Sequence, residues 1–174
     1  NITYNAKMRR TSICGATETI LCHKDVAKQV LPDLLEKLFK AGCEVRGDSS
    51  VASLSKKIKK ASEQDWNKEY LDSIVSIKIV KNLNEAIEHI NNYSSKHPDA
   101  IITKNTTTAK LFLTELESAI VMHNTSTQFS DGAEFGLGAE IGISTGKLHA
   151  RGPVSTQELT TYKYIVKGNG QLRQ

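Results

Sequence analysis

Residues 5–19 read Asn-Ala-Lys-Met-Arg-Arg-Thr-Ser-Ile-Cys-Gly-Ala-Thr-Glu-Thr, which sets Cys14 after Lys7, Arg9 and Arg10 and directly before Gly15-Ala16. A thiol attacks as its thiolate, and positive charge nearby favours that form. Glycine lets a reactant approach the backbone closely. The stretch therefore has the local chemistry of a nucleophile, provided the fold brings the charges to the sulfur. The competing reading is a small buried hydrophobe, the commoner fate of a single cysteine. Chemistry alone leaves both open.

Composition bounds the partners. Of 174 residues, 39% are hydrophobic and 24% charged, which specifies a globular chain long enough for one domain with a real core. No apolar run approaches the roughly 20 residues that span a bilayer, so no membrane partner is expected. The net charge of +4 is mild and compatible with small anionic substrates. Lys56, Lys57, Lys59 and Lys60 form the densest basic cluster. They read as a solvated helix face, because no aromatics alternate with them as a nucleic-acid binder would want. The three cysteines, Cys14, Cys22 and Cys43, are odd in number and not closely paired. That argues against a disulfide framework and fits a reducing, cytoplasmic compartment. No Cys-x-x-Cys occurs and the five histidines are scattered, so no metal is expected. The first residue is Asn rather than Met, so the chain is expected to be processed, tagged or cut from something longer.

The elements that must position Cys14 follow from periodicity. Thr19–Cys22 reads as a short buried strand. From Asp25, apolar residues Val26, Val30, Leu34, Leu35, Leu38 and Phe39 recur at helical steps until Gly42, with Pro32 inside the pattern. Cys43–Gly47 predicts a short strand, and 51–60 a brief amphipathic helix. Ser73–Val80 is the clearest strand. Asn84 is expected to cap a helix carrying Ala86, Ile87, Ile90 and Tyr93. Pro98 is expected to break the chain before a strand at 100–103, a helix at 106–116 and a strand at 118–122. Alternating strands and helices argue an α/β domain with a largely parallel sheet. Residues 124–153 are glycine-rich and loop-like, a pattern usually functional in compact domains. Residues 159–166 are β-prone and could add to another sheet at an edge. No repeat or linker divides the chain.

Two motifs fail on inspection. Gly136-Leu137-Gly138 lacks the third glycine of a dinucleotide fingerprint, since Ile141 stands there. Gly142–Leu148 is one residue short of a phosphate loop, and Leu148 replaces the hydroxyl residue that would meet magnesium. No Gly-x-Ser-x-Gly elbow occurs.

Asn5-Ala6-Lys7, Arg10, Ile13-Cys14-Gly15-Ala16 and Glu18-Thr19-Ile20 together resemble the catalytic-cysteine segment of the gamma-glutamyl phosphate reductases, within the aldehyde dehydrogenase superfamily. Further matches are Asp65-Trp66 with Glu69-Tyr70-Leu71-Asp72, and Val80, Ala86, His89-Ile90, Ser94-Ser95, His97 and Asp99. Asn124-Thr125-Ser126-Thr127 also matches, with Thr125 in place of Ala. The strongest run is Phe129–Gly132 with Phe135–Thr145, then Lys147–Pro153 and Leu159–Lys163. Tyr93 and Pro98 depart from the family pattern, which questions local loop geometry more than reaction type. His89 and His97 are read as structural.

The resemblance implies a three-layer α/β catalytic domain of the aldehyde dehydrogenase type over 1–158, with a mostly parallel sheet. It implies an oligomerisation strand and tail over 159–174. A Rossmann-like nicotinamide domain is expected outside this chain, since family proteins are about twice as long. The implied reaction is NADPH-dependent reduction of gamma-glutamyl phosphate to glutamate-5-semialdehyde and phosphate in proline biosynthesis. Cys14 would attack the acyl carbon, phosphate would leave, and a thioester would await hydride. The Cys14 N–H is a natural oxyanion donor, and no general-base glutamate is needed. Glu69 takes the place of the glutamate that contacts the nicotinamide-side ribose. Lys7, Arg10 and Arg151, with Asn124 and His149 behind them, are candidates for the substrate's carboxylate and phosphate. Arg151 is equally well read as a pin for the glycine-rich loop. Implied partners are a second copy of the chain and glutamate 5-kinase. Two alternatives stand: a fragment without activity alone, and an aldehyde dehydrogenase for another acyl donor.

Overall fold

The computed structural model describes residues 1–174. Its order is α1 (Ile2–Met8), β1 (Thr19–His23), α2 (Lys24–Lys40), β2 (Glu44–Gly47), α3 (Ser49–Ala52), β3 (Lys59–Lys60), β4 (Ile74–Val80), α4 (Leu83–Tyr93), β5 (Pro98–Ile101), α5 (Thr106–Glu115), β6 (Ile120–His123), β7 (Gly142–Ser144) and β8 (Gly152–Val154). Strands β1, β4, β2 and β3 pair in that order, all parallel; β5 and β6 form a second parallel pair, and β7–β8 an antiparallel hairpin. The expected α/β class with a mostly parallel sheet is the one observed.

Strand β4 organises the layers because its side chains alternate between faces. Val75 and Ile77 join Leu31, Leu35 and Leu38 of α2 and Val45 of β2 in one apolar core. On the opposite face Ser76 Oγ lies 2.8 Å from Tyr70 Oη, and Lys78 Nζ lies 3.3 Å from His89 Nδ1 of α4. Helix, sheet and helix therefore stack as three layers. Full burial of each aliphatic side chain stabilises the core by about 1.5–3 kcal/mol.

Several expectations are corrected. In α2 the buried stripe is Ala27, Leu31, Leu35 and Leu38, while Val26 and Val30 are over 40% exposed. The helix has two apolar stripes, and a periodic pattern does not say which one meets the sheet. The helix expected over 51–60 is a single turn, α3. Asp48 caps it by accepting from the Val51 N–H at 2.8 Å, and the chain then leaves to pair Lys59–Lys60 with Arg46–Gly47. That pairing puts the lysines on a sheet edge rather than a helix face. Asn82, not Asn84, caps α4, its Oδ1 accepting from the Glu85 N–H at 2.9 Å. Pro98 opens β5 rather than breaking the chain, a position where a strand tolerates the missing N–H. Residues 159–174 form no strand: they find no ladder partner within the chain, and Tyr162, Tyr164, Ile165 and Val166 stay exposed.

Candidate active site

Cys14 sits on the loop between α1 and β1. The Ala16 N–H donates to the Ile13 carbonyl at 2.9 Å, and the Thr17 N–H to the Ala6 carbonyl at 3.0 Å, which folds the loop back on the helix. The thiol is exposed, whereas Cys22 and Cys43 are buried. It lies on the wall of an open groove of about 1150 Å³ that also carries Glu69, Trp66 and His89. The competing reading of Cys14 as core is thus excluded by its placement.

The charges do not reach the sulfur as expected. Lys7 is fully buried, its Nζ 2.6 Å from Glu18 Oε2, and Glu18 in turn accepts from the Leu71 N–H at 3.3 Å. This ion pair ties α1 to the start of β1 and keeps the Lys7 ammonium out of solvent and paired with a carboxylate. Arg9 donates to Gln128 Oε1 at 3.2 Å. Although the residue is exposed overall, partial desolvation of the sulfur first, and then the Glu140 carboxylate, pushes the Cys14 thiol up from its ordinary value. The Gly15 and Cys14 backbone N–H groups oppose the rise, and Asp131 adds to it. No cation is among these leading influences, and Lys7 and Arg9 are engaged with Glu18 and Gln128 instead. A lysine's position in sequence does not fix where a four-carbon stem points.

The other candidates are dispersed. Asn124, with φ of 57°, exchanges hydrogen bonds with the Thr103 backbone, Oδ1 accepting from N–H and Nδ2 donating to the carbonyl, both at 2.9 Å. Both ends of its amide are engaged in joining the ends of β5 and β6. Arg151 donates to the Glu117 carbonyl while Lys147 pairs with the Glu117 carboxylate. These contacts pin the β7–β8 hairpin beyond the end of α5, as the pinning reading of Arg151 has it. His149 is exposed on the hairpin loop. Arg10 is exposed at the start of the Cys14 loop and its side chain is unpaired. Glu69 is exposed and faces the same groove as the thiol.

Around the groove, His89 is buried between Trp66 and Tyr93, at ring-centroid distances of 5.4 and 4.6 Å. Burial, with Lys78 beside it, pushes its pKa down to about 4. Beneath the Glu69 loop, Asp65 accepts from Arg46 at 2.6 Å, from Tyr70 at 2.7 Å and from both the N–H and hydroxyl of Ser62 at 2.7 Å. Burial alone would raise the Asp65 pKa, but these donors outweigh it and hold the carboxyl well below the usual range. This network fixes the segment from which Glu69 projects. Sequence reasoning noticed Asp65 only through the family likeness, and missed Arg46 as its partner.

It also missed the 3-10 turn Thr127–Phe129. Thr127 Oγ1 donates to the Gly15 carbonyl at 2.6 Å, and Gln128 Nε2 donates to the Ala6 carbonyl at 2.8 Å. A Cβ on Gly15 would stand 2.9 Å from Ser130 Oγ and 3.0 Å from the Thr127 carbonyl, so this position needs glycine for close packing. No local sequence signal could have found contacts across more than a hundred residues.

The gamma-glutamyl phosphate reductase of Rhodospirillum rubrum is 57% identical to this chain over 173 residues, 99% of the chain and 40% of the relative. That of Sphingopyxis alaskensis is 61% identical over 169 residues, 97% and 39% respectively. The chain is homologous to the gamma-glutamyl phosphate reductases. It spans about two fifths of the length of the curated relatives it matches. The crystal structure of the Thermotoga maritima gamma-glutamyl phosphate reductase superposes with a TM-score of 0.94 at 48% identity, covering 99% of this chain and 42% of that one. An acetylating aldehyde dehydrogenase from Geobacillus thermoglucosidasius shares the fold, with a TM-score of 0.70 at 13% identity, over 99% of this chain and 48% of that one. No protein-family model matches the chain. No helix is long and apolar enough to cross a membrane.

Proposed function

We propose that this chain supplies the nucleophile of a gamma-glutamyl phosphate reductase, an oxidoreductase that turns an acyl phosphate into an aldehyde and phosphate. The observation that carries the reading is the exposed Cys14 on a groove wall, within a sequence over half identical to enzymes of that name. The Cys14 thiolate attacks the acyl carbon, the carbon–oxygen bond to phosphate breaks, and the acyl group remains as a thioester. The Cys14 and Gly15 N–H groups sit beside the sulfur and suit a developing oxyanion. Phosphate leaves without a general acid, so no side chain need give up a proton in this step.

Glu69 fits a nicotinamide cofactor in one respect. Its carboxylate is exposed on the groove that holds the thiol, where two ribose hydroxyls could donate to it. When bound, reduced nicotinamide, with NADPH as the assigned form, supplies the hydride that converts the thioester to aldehyde. The relatives carry more than half their length outside the matched span, and the rest of the cofactor site is assigned there. Arg10, exposed and unpaired, is assigned to the substrate's anionic groups, whereas Lys7, Asn124 and Arg151 are assigned to holding the fold. Exposed residues 159–174 are assigned to assembly with a second copy.

The test is NADPH oxidation by the intact protein with gamma-glutamyl phosphate generated in situ by a glutamate 5-kinase. Wild type should consume NADPH and Cys14→Ala should not. Equal rates would reject the assignment, and preference for an acyl-CoA would favour another acyl donor.

A further inference from the structure

The Cys14 loop has two ends, and one short turn holds both. At the entry, the side chain of Gln128 is buried and reaches back across more than a hundred residues. Its Nε2 donates to the carbonyls of Ala6 at 2.8 Å, Arg10 at 3.1 Å and Asn5 at 3.3 Å. Its Oε1 accepts from Arg9 Nη1 at 3.2 Å. Helix α1 has only seven residues; the Asn5 carbonyl still accepts from the Arg9 N–H at 3.1 Å and the Ala6 carbonyl from the Thr17 N–H, and Gln128 adds a side-chain donor to both and reaches on to Arg10. At the exit, Thr127 Oγ1 donates to the Gly15 carbonyl and lies 3.0 Å from Thr17 Oγ1. Ser130 Oγ donates to the Thr127 carbonyl at 2.5 Å and keeps the turn itself closed. Cys14 is thus the exposed crest of a segment fixed on both sides by polar contacts that require donors in set directions.

We propose that Gln128 and Thr127 are positioning residues for Cys14: a polar clamp from the segment after β6 that sets the sulfur against its own backbone N–H groups. Neither side chain touches the thiol. Gln128 acts through the backbone at residues 5, 6 and 10, and Thr127 through that at residue 15. A primary amide is the group required at position 128, because its nitrogen meets carbonyl oxygens while its oxygen meets a guanidinium. A carboxylate there would face those carbonyls with no proton to give. At 127 a hydroxyl is required, and valine has the same shape without the donor. The proposal rests on Cys14 being the nucleophile assigned above.

Alkylation by iodoacetamide tests it without any substrate, so failure of the clamp and failure of the assigned reaction read out separately. The intact protein is labelled across pH 6–10 and each cysteine followed by peptide mass spectrometry. Cys22 and Cys43, both buried, report whether the fold has opened. In Gln128→Glu and in the milder Thr127→Val, the pH profile of Cys14 should move up, and labelling at neutral pH should slow by about threefold to tenfold. Cys22 and Cys43 should stay protected. An unchanged Cys14 profile in both variants would overturn the clamp. So would parallel exposure of all three thiols in Thr127→Val, which would make the contacts merely structural.

Discussion

Around β4 the buried side chains are largely hydrocarbon, with Val45, Val75, Ile77 and Leu38 fully excluded from solvent. After β6 no buried Val, Leu, Ile or Phe occurs, and the buried side chains are instead Ser126, Thr127, Gln128, Ser130 and Ser155, with Pro153. The first region is held by a non-directional force that scales with area. The second is held by hydrogen bonds that are worth little net when made and cost much when broken. Cys14, the proposed nucleophile, sits where the two meet, its loop leading into β1 on one side and bonded to the polar turn on the other. A sheet fixes where the loop starts and ends; directional contacts fix what its crest presents.

The largest effect should come from the hydrocarbon side. Leu38→Ala should cost about 2–5 kcal/mol in urea unfolding, because a fully buried side chain leaves a cavity. Leu148→Ala, fully exposed in the second region, should stay within about 0.5 kcal/mol of wild type. Comparable losses at the two sites would abolish the contrast.

Asp65→Asn comes next. It removes the charge that Arg46, Tyr70 and Ser62 surround, and should cost about 2–4 kcal/mol. Because the folded carboxyl titrates below its unfolded value of 3.8, its contribution is fully present above that pH and is lost as pH falls below it. The wild-type urea midpoint should therefore drop below about pH 4 more steeply than that of Asp65→Asn. Parallel curves would show that the network carries no such linkage.

Gly15→Ala should be smaller in stability, about 1–3 kcal/mol, since Ser130 and Thr127 must shift by a few tenths of an ångström to admit a methyl. Its alkylation rate at Cys14 should nonetheless change more than that of any core variant. A normal Cys14 rate would mean the close approach is irrelevant to the thiol.

The smallest effect on the fold separates two arginines. Arg10→Ala should leave stability unaltered and raise the substrate KM of the intact enzyme about tenfold, the size of one lost charged contact. Arg151→Ala should loosen the β7–β8 hairpin, seen as faster hydrogen exchange there, with KM unchanged. The reverse pattern would return the substrate role to Arg151.

The same contrast explains what the sequence made legible. β4 and α2 were readable because burial of hydrocarbon leaves a periodic imprint, although the two stripes of α2 could not be told apart without the sheet. α3 and β3 were misread because pairing with Arg46–Gly47 overrode a local helical pattern. Cys14 stood out in the sequence through family likeness, while its neighbours' chemistry left the buried reading open until the fold placed the residue at the surface. The environment of its sulfur was not legible: Lys7 turned inward to Glu18, and Gln128 arrived from the far end of the chain. Polar contacts of that range depend on which loops meet, and no spacing in the sequence encodes it.

The most direct test of the account is acylation of Cys14 itself. The intact protein is treated with an acyl phosphate such as acetyl phosphate, without cofactor, and released phosphate and peptide masses are measured together. The account predicts one acyl group on Cys14 for each phosphate released above a protein-free blank, and neither excess signal in Cys14→Ser. Acyl transfer to another residue, or phosphate release that persists in Cys14→Ser, would contradict it.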